Sequence, residues 1–423
     1  MKVLISAFAC QPNKGSEYGR GWGWATELAK IGHQVWVITW SHTRSQIEQE
    51  LEANLIPNLH FVYCDKATWV PKAYKFVRAI RIPLGPGIVW NLSCTWWQWD
   101  AYQLAKSLHK EIAFDLVHHV TNTTIRRGSF MGLLNIPFIL GPLAGGVKTP
   151  WSLRKGFSFK GKFIELIRDL NNSLVKFDPL MHLTFAKAEK IYCDSRQTQK
   201  LIPKLYRSRS KVVFSMPTPQ IIGNIYEIEQ NTIEEIFRVL FVGRFLHWKG
   251  IHLGLIAFAR LHQKIPGSRF TIIGTGSERN RLQKLTKQLG IEEVVDWIPW
   301  MEQKKLSSVY FQHDVFLFPS LHDMGGNVVL ESLHHGLPVV CLDIGGPGVM
   351  VDETSGRVIK TDKLEEEAVI ERLSNALIEL AENSERRQQL STGASARPSE
   401  FAFKDVVKNI YVEASQLVNC PKC

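Results

Sequence analysis

No stretch of this sequence strings together the roughly 18 apolar residues that a membrane-spanning helix needs. Cysteine is sparse and odd in number, seven scattered over 423 residues, which excludes the disulfide framework of a small secreted domain. The one close pair, in Cys420-Pro421-Lys422-Cys423, has no second pair at zinc spacing and reads as a chain end rather than a metal site. Charged residues are only 22% and hydrophobic residues 45%, ordinary globular usage that excludes disorder, collagen or coiled coil as a description of the whole chain. The opening Met1-Lys2-Val3-Leu4-Ile5-Ser6-Ala7-Phe8-Ala9-Cys10 imitates a lipoprotein signal, but its apolar stretch is short and Lys2 is a thin positive region. It reads instead as a buried first strand ending at a functional loop. A reducing cytoplasm is the expected compartment.

What is present is an alternation of short apolar runs with longer amphipathic stretches. Val3 to Phe8, Gln34 to Thr39, Leu55 to Tyr63, Asp115 to His118 and Phe138 to Leu140 read as buried strands, with helical patterns such as Trp22 to Lys30 and Ala101 to Lys110 between them. Fresh strands follow at Arg238 to Val242, Arg269 to Ile273, Val294 to Ile298, Val315 to Phe318 and Val339 to Leu342. The pattern predicts an α/β protein of two doubly wound, Rossmann-like domains, whose ligands bind in a cleft at the carboxyl ends of the strands. A strand running into the proline-marked Met216-Pro217-Thr218-Pro219 sets the expected boundaries. They are a first domain over 1–220, a second over 221–397, and a terminal helix in 398–423 that returns to the first domain.

The most informative stretch runs Phe318-Pro319-Ser320-Leu321-His322-Asp323-Met324-Gly325-Gly326-Asn327-Val328-Val329-Leu330-Glu331. A strand end, a glycine pair and a helix starting near Gly326 or Asn327 aim free N–H groups and a positive dipole end at a ligand, an arrangement that suits phosphate. Asp323 and Glu331 are placed to accept hydrogen bonds from sugar or ribose hydroxyls; the plainer alternative is a helix-capping acid and a solvated glutamate. A second strand-to-helix stretch, Phe241-Val242-Gly243-Arg244-Phe245-Leu246-His247-Trp248-Lys249-Gly250, offers two cations. Arg244 can grip phosphate oxygens with its planar fork and Lys249 can act as a point charge, which is what a departing diphosphate requires.

Gly243-Arg244 with Lys249-Gly250, then Ile273-Gly274-Thr275-Gly276, then Pro319-Ser320, then Asp323 with Glu331, then Gly336-Leu337-Pro338-Val339-Val340 resemble, in that order, the retaining family 4 glycosyltransferases. Looser matches in the first half are Gly15-Ser16-Glu17, His118-His119 and Gly141-Pro142-Leu143-Ala144-Gly145-Gly146. The resemblance implies the GT-B fold, with a nucleoside-diphosphate sugar as donor in the second domain and a saccharide or lipid-linked acceptor facing the first. It implies Arg244 and Lys249 as the diphosphate-binding pair and Glu331 as the ribose ligand. Asp323 stands where the family usually has Glu, against donor sugar hydroxyls. Gly325, Gly326 and Asn327 would give backbone contacts to sugar and phosphate, and Trp297-Ile298-Pro299, with Ile298 ending a strand, would lie by the nucleobase. Gly243 and Gly274 would sit at the donor, and Gly15, Ser16 and Glu17 would reach under its phosphates. His119, with His118 as the neighbouring candidate, matches the family's histidine near the donor sugar. Transfer would retain configuration by front-face attack, with no metal and no other cofactor, the cations standing in for a divalent ion.

Two segments are both basic and aromatic: Trp69 to Trp90, continuing to Trp96, Trp97 and Trp99, and Trp151 to Phe163. They suit an anionic membrane surface, which would place the protein at the inner face of the cell membrane, or else a helical hairpin with snorkelling cations. No nucleic-acid motif accompanies the net charge of +11, so no nucleic-acid partner is expected. The rival readings are a nicotinamide or flavin oxidoreductase, an isomerase or phosphorylase of the same fold, and a non-catalytic scaffold. Gly274-Thr275-Gly276 favours the first, although a dinucleotide fingerprint needs a third glycine where this chain has Arg279.

Overall fold

A computed structural model of the protein describes residues 1–67, 69–80, 85–215 and 236–419. The expected boundary near residue 220 and the pair Cys420 and Cys423 lie outside them. The chain divides into two compact units. Among the described residues, one holds 1–146, 170–215 and 403–419, and the other 147–169 and 236–402.

The first unit is built on a seven-stranded parallel sheet. Its strands are β1 (Lys2–Ser6), β2 (Gln34–Trp40), β3 (Leu59–Cys64), β4 (Leu116–His119), β5 (Phe138–Leu143), β6 (Lys190–Cys193) and β7 (Ser210–Val212), in spatial order β3-β2-β1-β4-β5-β6-β7. Strand alternation divides the apolar residues between two faces. Val3, Ile5, Val35 and Val37 pack on one side with Trp24 and Leu28 of the helix Ser16–Lys30 and with Val407, Ile410 and Tyr411 of the helix Phe403–Asn419. Leu4, Ile38 and Val117 face the other way, toward Trp97, Ala101 and Ala105 of the helix Gly85–Ile112. Both faces are covered, which is why β4 and β5 are buried along their whole length.

The second unit carries a six-stranded sheet. It comprises β8 (Arg238–Val242), β9 (Arg269–Ile273), β10 (Val295–Ile298), β11 (Val315–Phe318), β12 (Val339–Leu342) and β13 (Gly356–Ile359), all parallel in the order β10-β9-β8-β11-β12-β13. Each sheet therefore reverses its winding between its first and fourth strands, at β1/β4 and at β8/β11. In open α/β sheets that reversal is where ligands bind, beyond the carboxyl ends of the strands.

Three differences from the expected elements have local causes. β3 begins at Leu59 rather than Leu55, because Pro57 and the left-handed Asn58 turn the chain just before it, leaving Leu55 exposed. β6 and β13 are not among the expected strands, because Lys190 and Arg357 interrupt the unbroken apolar run that marks four-residue strands such as β11 and β12. Residues 147–169 fall inside the expected first domain yet pack with the second unit. Phe157 lies edge-on to His247 with ring centroids 5.0 Å apart, and the Gly156 N–H donates to Glu366 at 2.9 Å. The short run Trp151 to Phe163 carries no sign of this in its sequence, since His247 and Glu366 lie far along the chain from Phe157 and Gly156.

Candidate active site

At the reversal point of the second sheet, the loops after β8, β9 and β11 are pressed backbone to backbone. The Gly243 N–H donates to the Ile273 carbonyl at 2.9 Å, and the Phe245 N–H to Thr275 at 2.8 Å. Gly274 has φ +145°, and a Cβ there would collide with the Gly243 carbonyl oxygen. Gly250, at φ +66°, likewise leaves no room for a Cβ against the Pro319 carbonyl, and the Leu321 N–H donates to Trp248 at 2.8 Å. The glycines of Gly274-Thr275-Gly276 thus serve the approach of one loop to the next, which accounts for them without a dinucleotide. The Gly274 N–H reaches the Ile298 carbonyl at 2.8 Å, so the end of β10 joins the same group of loops. Trp297 stands edge-on to Phe245 at 5.5 Å.

This packing delivers the two predicted cations differently. Lys249 is largely buried and forms an ion pair with Asp323, with its ammonium also 5.0 Å from the centre of the Phe318 ring. Arg244 is exposed and has no hydrogen bond or ion pair among the described residues. Asp323 is fixed from the other side as well. Its carbonyl accepts from the Gly346 N–H at 2.9 Å, and its second carboxylate oxygen lies 3.4 Å from the Gly326 N–H. The helix Asn327–His334 begins directly after Gly326, so its first N–H groups have no intrahelical acceptor. The Asn327 side-chain oxygen is buried without a partner among the described residues. One turn on, Glu331 accepts a 3.0 Å hydrogen bond from the Tyr310 hydroxyl, and burial pushes its carboxyl above the usual range. Gly325 is half-buried between Asp323 and that helix.

The remaining predicted residues belong to the first unit and gather at its own reversal point. Gly15 precedes the helix Ser16–Lys30, and the Glu17 carboxylate accepts the backbone N–H of Asn122, tying the loop after β1 to the loop after β4. His118 and His119 point to opposite faces of the sheet. His118 uses both nitrogens internally, 2.9 Å from the Gly141 carbonyl and 3.0 Å from the Tyr411 hydroxyl of the terminal helix. His119 places Nε2 2.8 Å from the Thr121 carbonyl and 3.3 Å from the side-chain nitrogen of Gln98. Its Nδ1 is buried with no partner among the described residues. Burial holds His118 down at about 3 and His119 at about 4, so both rings are neutral at physiological pH.

Sequence reasoning passed over Glu165, a fully buried carboxylate on the helix Phe159–Leu174. It lies 3.3 Å from His247 Nε2, 3.7 Å from His322 Nδ1 and 3.4 Å from Arg168. His247 is two residues from Lys249, and His322 is next to Asp323. Glu165 therefore braces both charge-bearing loops from below. Burial alone would raise its carboxyl, but the His247 hydrogen bond and the charges of Arg168, His247 and Arg154 outweigh that and hold it below the usual value. The only sequence signal was a histidine beside each predicted charged residue, and nothing pointed to a glutamate 82 positions before His247. Among the described residues no group of three or more His, Cys, Asp or Glu could hold a metal ion.

Residues 226–397 match the family model for glycosyl transferases group 1. The chain is 34% identical over 187 residues to a D-inositol 3-phosphate glycosyltransferase of Saccharomonospora viridis, covering 41% of this chain and 42% of that protein. It is 32% identical over 179 residues to the lipopolysaccharide core biosynthesis glycosyltransferase LpsE of Rhizobium meliloti, covering 41% of this chain and 48% of that one. The match thus spans less than half the length of either relative. Across 98% of this chain, the structure is similar to all of Anabaena HepE solved with UDP and glucose, with a TM-score of 0.62 at 15% identity. That likeness shows the fold, two parallel-sheet α/β units of the GT-B class, as expected from the sequence. The part of the chain similar to group 1 glycosyltransferases, residues 226–397, includes the second sheet and the loops bearing Arg244, Lys249, Asp323 and Glu331.

Proposed function

We propose that the protein is a retaining glycosyltransferase of family 4, moving a sugar from a nucleoside-diphosphate sugar to a saccharide or lipid-linked saccharide in glycan biosynthesis. The observation that carries this reading is the convergence at β8/β11. An exposed guanidinium, a lysine held by one carboxylate and a free helix start occupy the place where an open sheet takes its ligand. The family match over residues 226–397 supports the reaction class, and the UDP and glucose bound by HepE make UDP-glucose the first donor to test. The name of LpsE supports a polysaccharide acceptor.

In this reading the diphosphate takes Arg244 and draws Lys249 away from Asp323, freeing the carboxylate to accept from hydroxyls of the donor sugar. Glu331 accepts from the ribose. Gly243, Gly274 and Ile298 shape the nucleotide side, and Gly325, Gly326 and Asn327 offer N–H groups to the phosphates. The bond from anomeric carbon to phosphate oxygen breaks as the acceptor oxygen bonds to the same face of that carbon. The acceptor's proton passes to the departing phosphate, whose growing charge Arg244, Lys249 and the helix start stabilise. No metal enters the scheme. Gly15, Ser16, Glu17 and His119 belong to the donor phosphates and sugar, and the acceptor is assigned to the first unit. Attachment to an anionic membrane is part of the same proposal. It is supported by Phe76 and Trp96, exposed by 63% and 51%, on helices that also carry Lys72 and Lys75.

The test is to incubate the protein with UDP-, GDP- and ADP-sugars and measure nucleoside diphosphate release with and without an extract containing acceptors. Acceptor-dependent release from one donor is the expected result. Absence of both release and calorimetric binding for every donor removes the assignment. Flotation with anionic and neutral liposomes checks the membrane component, which fails if the two bind alike.

A further inference from the structure

The carboxyl ends of the first three strands of the first unit hold a feature that the donor scheme leaves unused. Phe8 follows β1 by two residues, Trp40 ends β2, and Lys66 follows β3 by two residues. The Lys66 ammonium sits 3.9 Å from the centre of the Trp40 ring, 4.0 Å from that of Trp90 and 5.0 Å from that of Phe8. Trp97 backs this box edge-on to Phe8 at 5.0 Å, anchored by donation from its indole N–H to the Cys64 carbonyl at 3.0 Å. The rings supply favourable electrostatics but no hydrogen-bond acceptor. Lys66 has no hydrogen bond or ion pair among the described residues, so the three donors of a half-buried ammonium go without a protein partner. Partly desolvated cations are normally paired. Burial already lowers the Lys66 pKa, and an arriving anion would reverse that.

We infer that Lys66, in its box of Phe8, Trp40 and Trp90, is a binding site for a sugar bearing an anionic group, a phosphate ester or a carboxylate, with the ammonium on the anion and the accessible Trp40 and Trp90 rings against the sugar. This extends the transferase reading in one respect only, by making the anionic saccharide its acceptor; the binding site itself does not depend on catalysis.

The protein, saturated with UDP to fill the phosphate site of the second unit, is titrated calorimetrically with glucose 6-phosphate, glucuronate, methyl glucoside and inorganic phosphate. The charged sugars are expected to bind at least tenfold more tightly than methyl glucoside and than phosphate alone, and whichever of the two is tighter identifies the anion. Lys66→Gln is expected to abolish that advantage and Lys66→Arg to keep most of it, with UDP affinity unchanged in both. Equal binding of charged and neutral sugars, or a Lys66→Gln variant that keeps the advantage, overturns the site. If Lys66→Gln does not fold, reductive methylation of the wild-type protein decides. A charged sugar must protect Lys66 while leaving exposed lysines reactive, and failure to protect overturns the proposal. Failure of UDP itself to bind would instead count against the transferase reading, so the two can fail separately.

Discussion

The two sheets share a winding order and a reversal point, yet the chain furnishes those two points with opposite chemistry. At β8/β11 the loops carry charge, exposed on Arg244 and paired between Lys249 and Asp323. At β1/β4 and along its flank they carry neutral buried histidines and indole rings around a single ammonium. A phosphate-bearing ligand needs fixed positive charge at its leaving group, whereas a saccharide presents hydroxyls and apolar ring faces. The contrast teaches that topology marks where a ligand binds, while the loop residues decide which ligand it is.

The largest effect should come from removing charge on the second sheet. Arg244→Ala and Lys249→Ala are each expected to lower transfer more than a hundredfold, about the loss seen on deleting one donor to a developing oxyanion. The two should differ in stability. Arg244 has no partner to abandon among the described residues, so its loss should leave the denaturation midpoint unchanged, while Lys249→Ala strands Asp323 and should lower it. Steady-state kinetics with urea denaturation separates them, and wild-type-like turnover in both variants would erase the distinction between the two reversal points.

A smaller effect, read here as stability, is expected at Gly274. Alanine there must adopt φ +145° and meets the Gly243 carbonyl, so Gly274→Ala should cost about 2–3 kcal/mol. Urea unfolding measures it, and a loss below about 0.5 kcal/mol would mean that the loops after β8 and β9 do not pack as closely as described.

Acid should weigh on the buried histidines of both units. His118 and His119 have folded values of about 3 and about 4, below the ordinary 6.5, so the unfolded chain takes up protons first as pH falls. Their contribution is complete above about pH 6.5 and is lost progressively toward pH 4 and below, by up to about 1.4 kcal/mol per pH unit for each ring. The second unit has His252, at about 3, and His322, which burial also holds well below the ordinary value. Stability measured from pH 7 to 5 should therefore fall, and His118→Gln should flatten the slope. A flat wild-type profile would contradict the burial of these rings.

How much of this could be read in advance follows from the range of each interaction. Strands buried on both faces, such as Phe138–Leu143 and Val315–Phe318, announce themselves as unbroken apolar runs. The helix start at Asn327 follows from a glycine pair after a strand, and the loops bearing Arg244, Lys249 and Asp323 were legible as strand-to-helix junctions. The pairing of Lys249 with Asp323 was not, since 74 positions separate them. Nor was Glu165, which lies two residues beyond the basic aromatic stretch Trp151 to Phe163 and acquires its meaning only from His247 and His322. The box around Lys66 draws on β1, β2, β3 and the helix Gly85–Ile112, and no single window contains it. Local chemistry was visible; the partners supplied by tertiary packing were not.

The smallest expected effect gives the finest comparison between the two units. Gly274 and Gly250 are needed by the protein itself, because a side chain there would strike a neighbouring backbone. Gly15 is not so constrained: its φ is −79°, and a Cβ would meet nothing within 4 Å. Gly15→Ala should therefore change stability by less than about 0.5 kcal/mol, as for an ordinary surface substitution. Any cost should appear only when a ligand approaches the backbone at the start of the helix Ser16–Lys30. The measurement pairs urea unfolding with UDP-sugar titration of the same variant. Unchanged stability with weakened donor binding would make Gly15 a residue kept for the ligand, as proposed for the loop after β1. Unchanged donor affinity would remove that loop from the phosphate site and leave the second sheet to bind the donor without it.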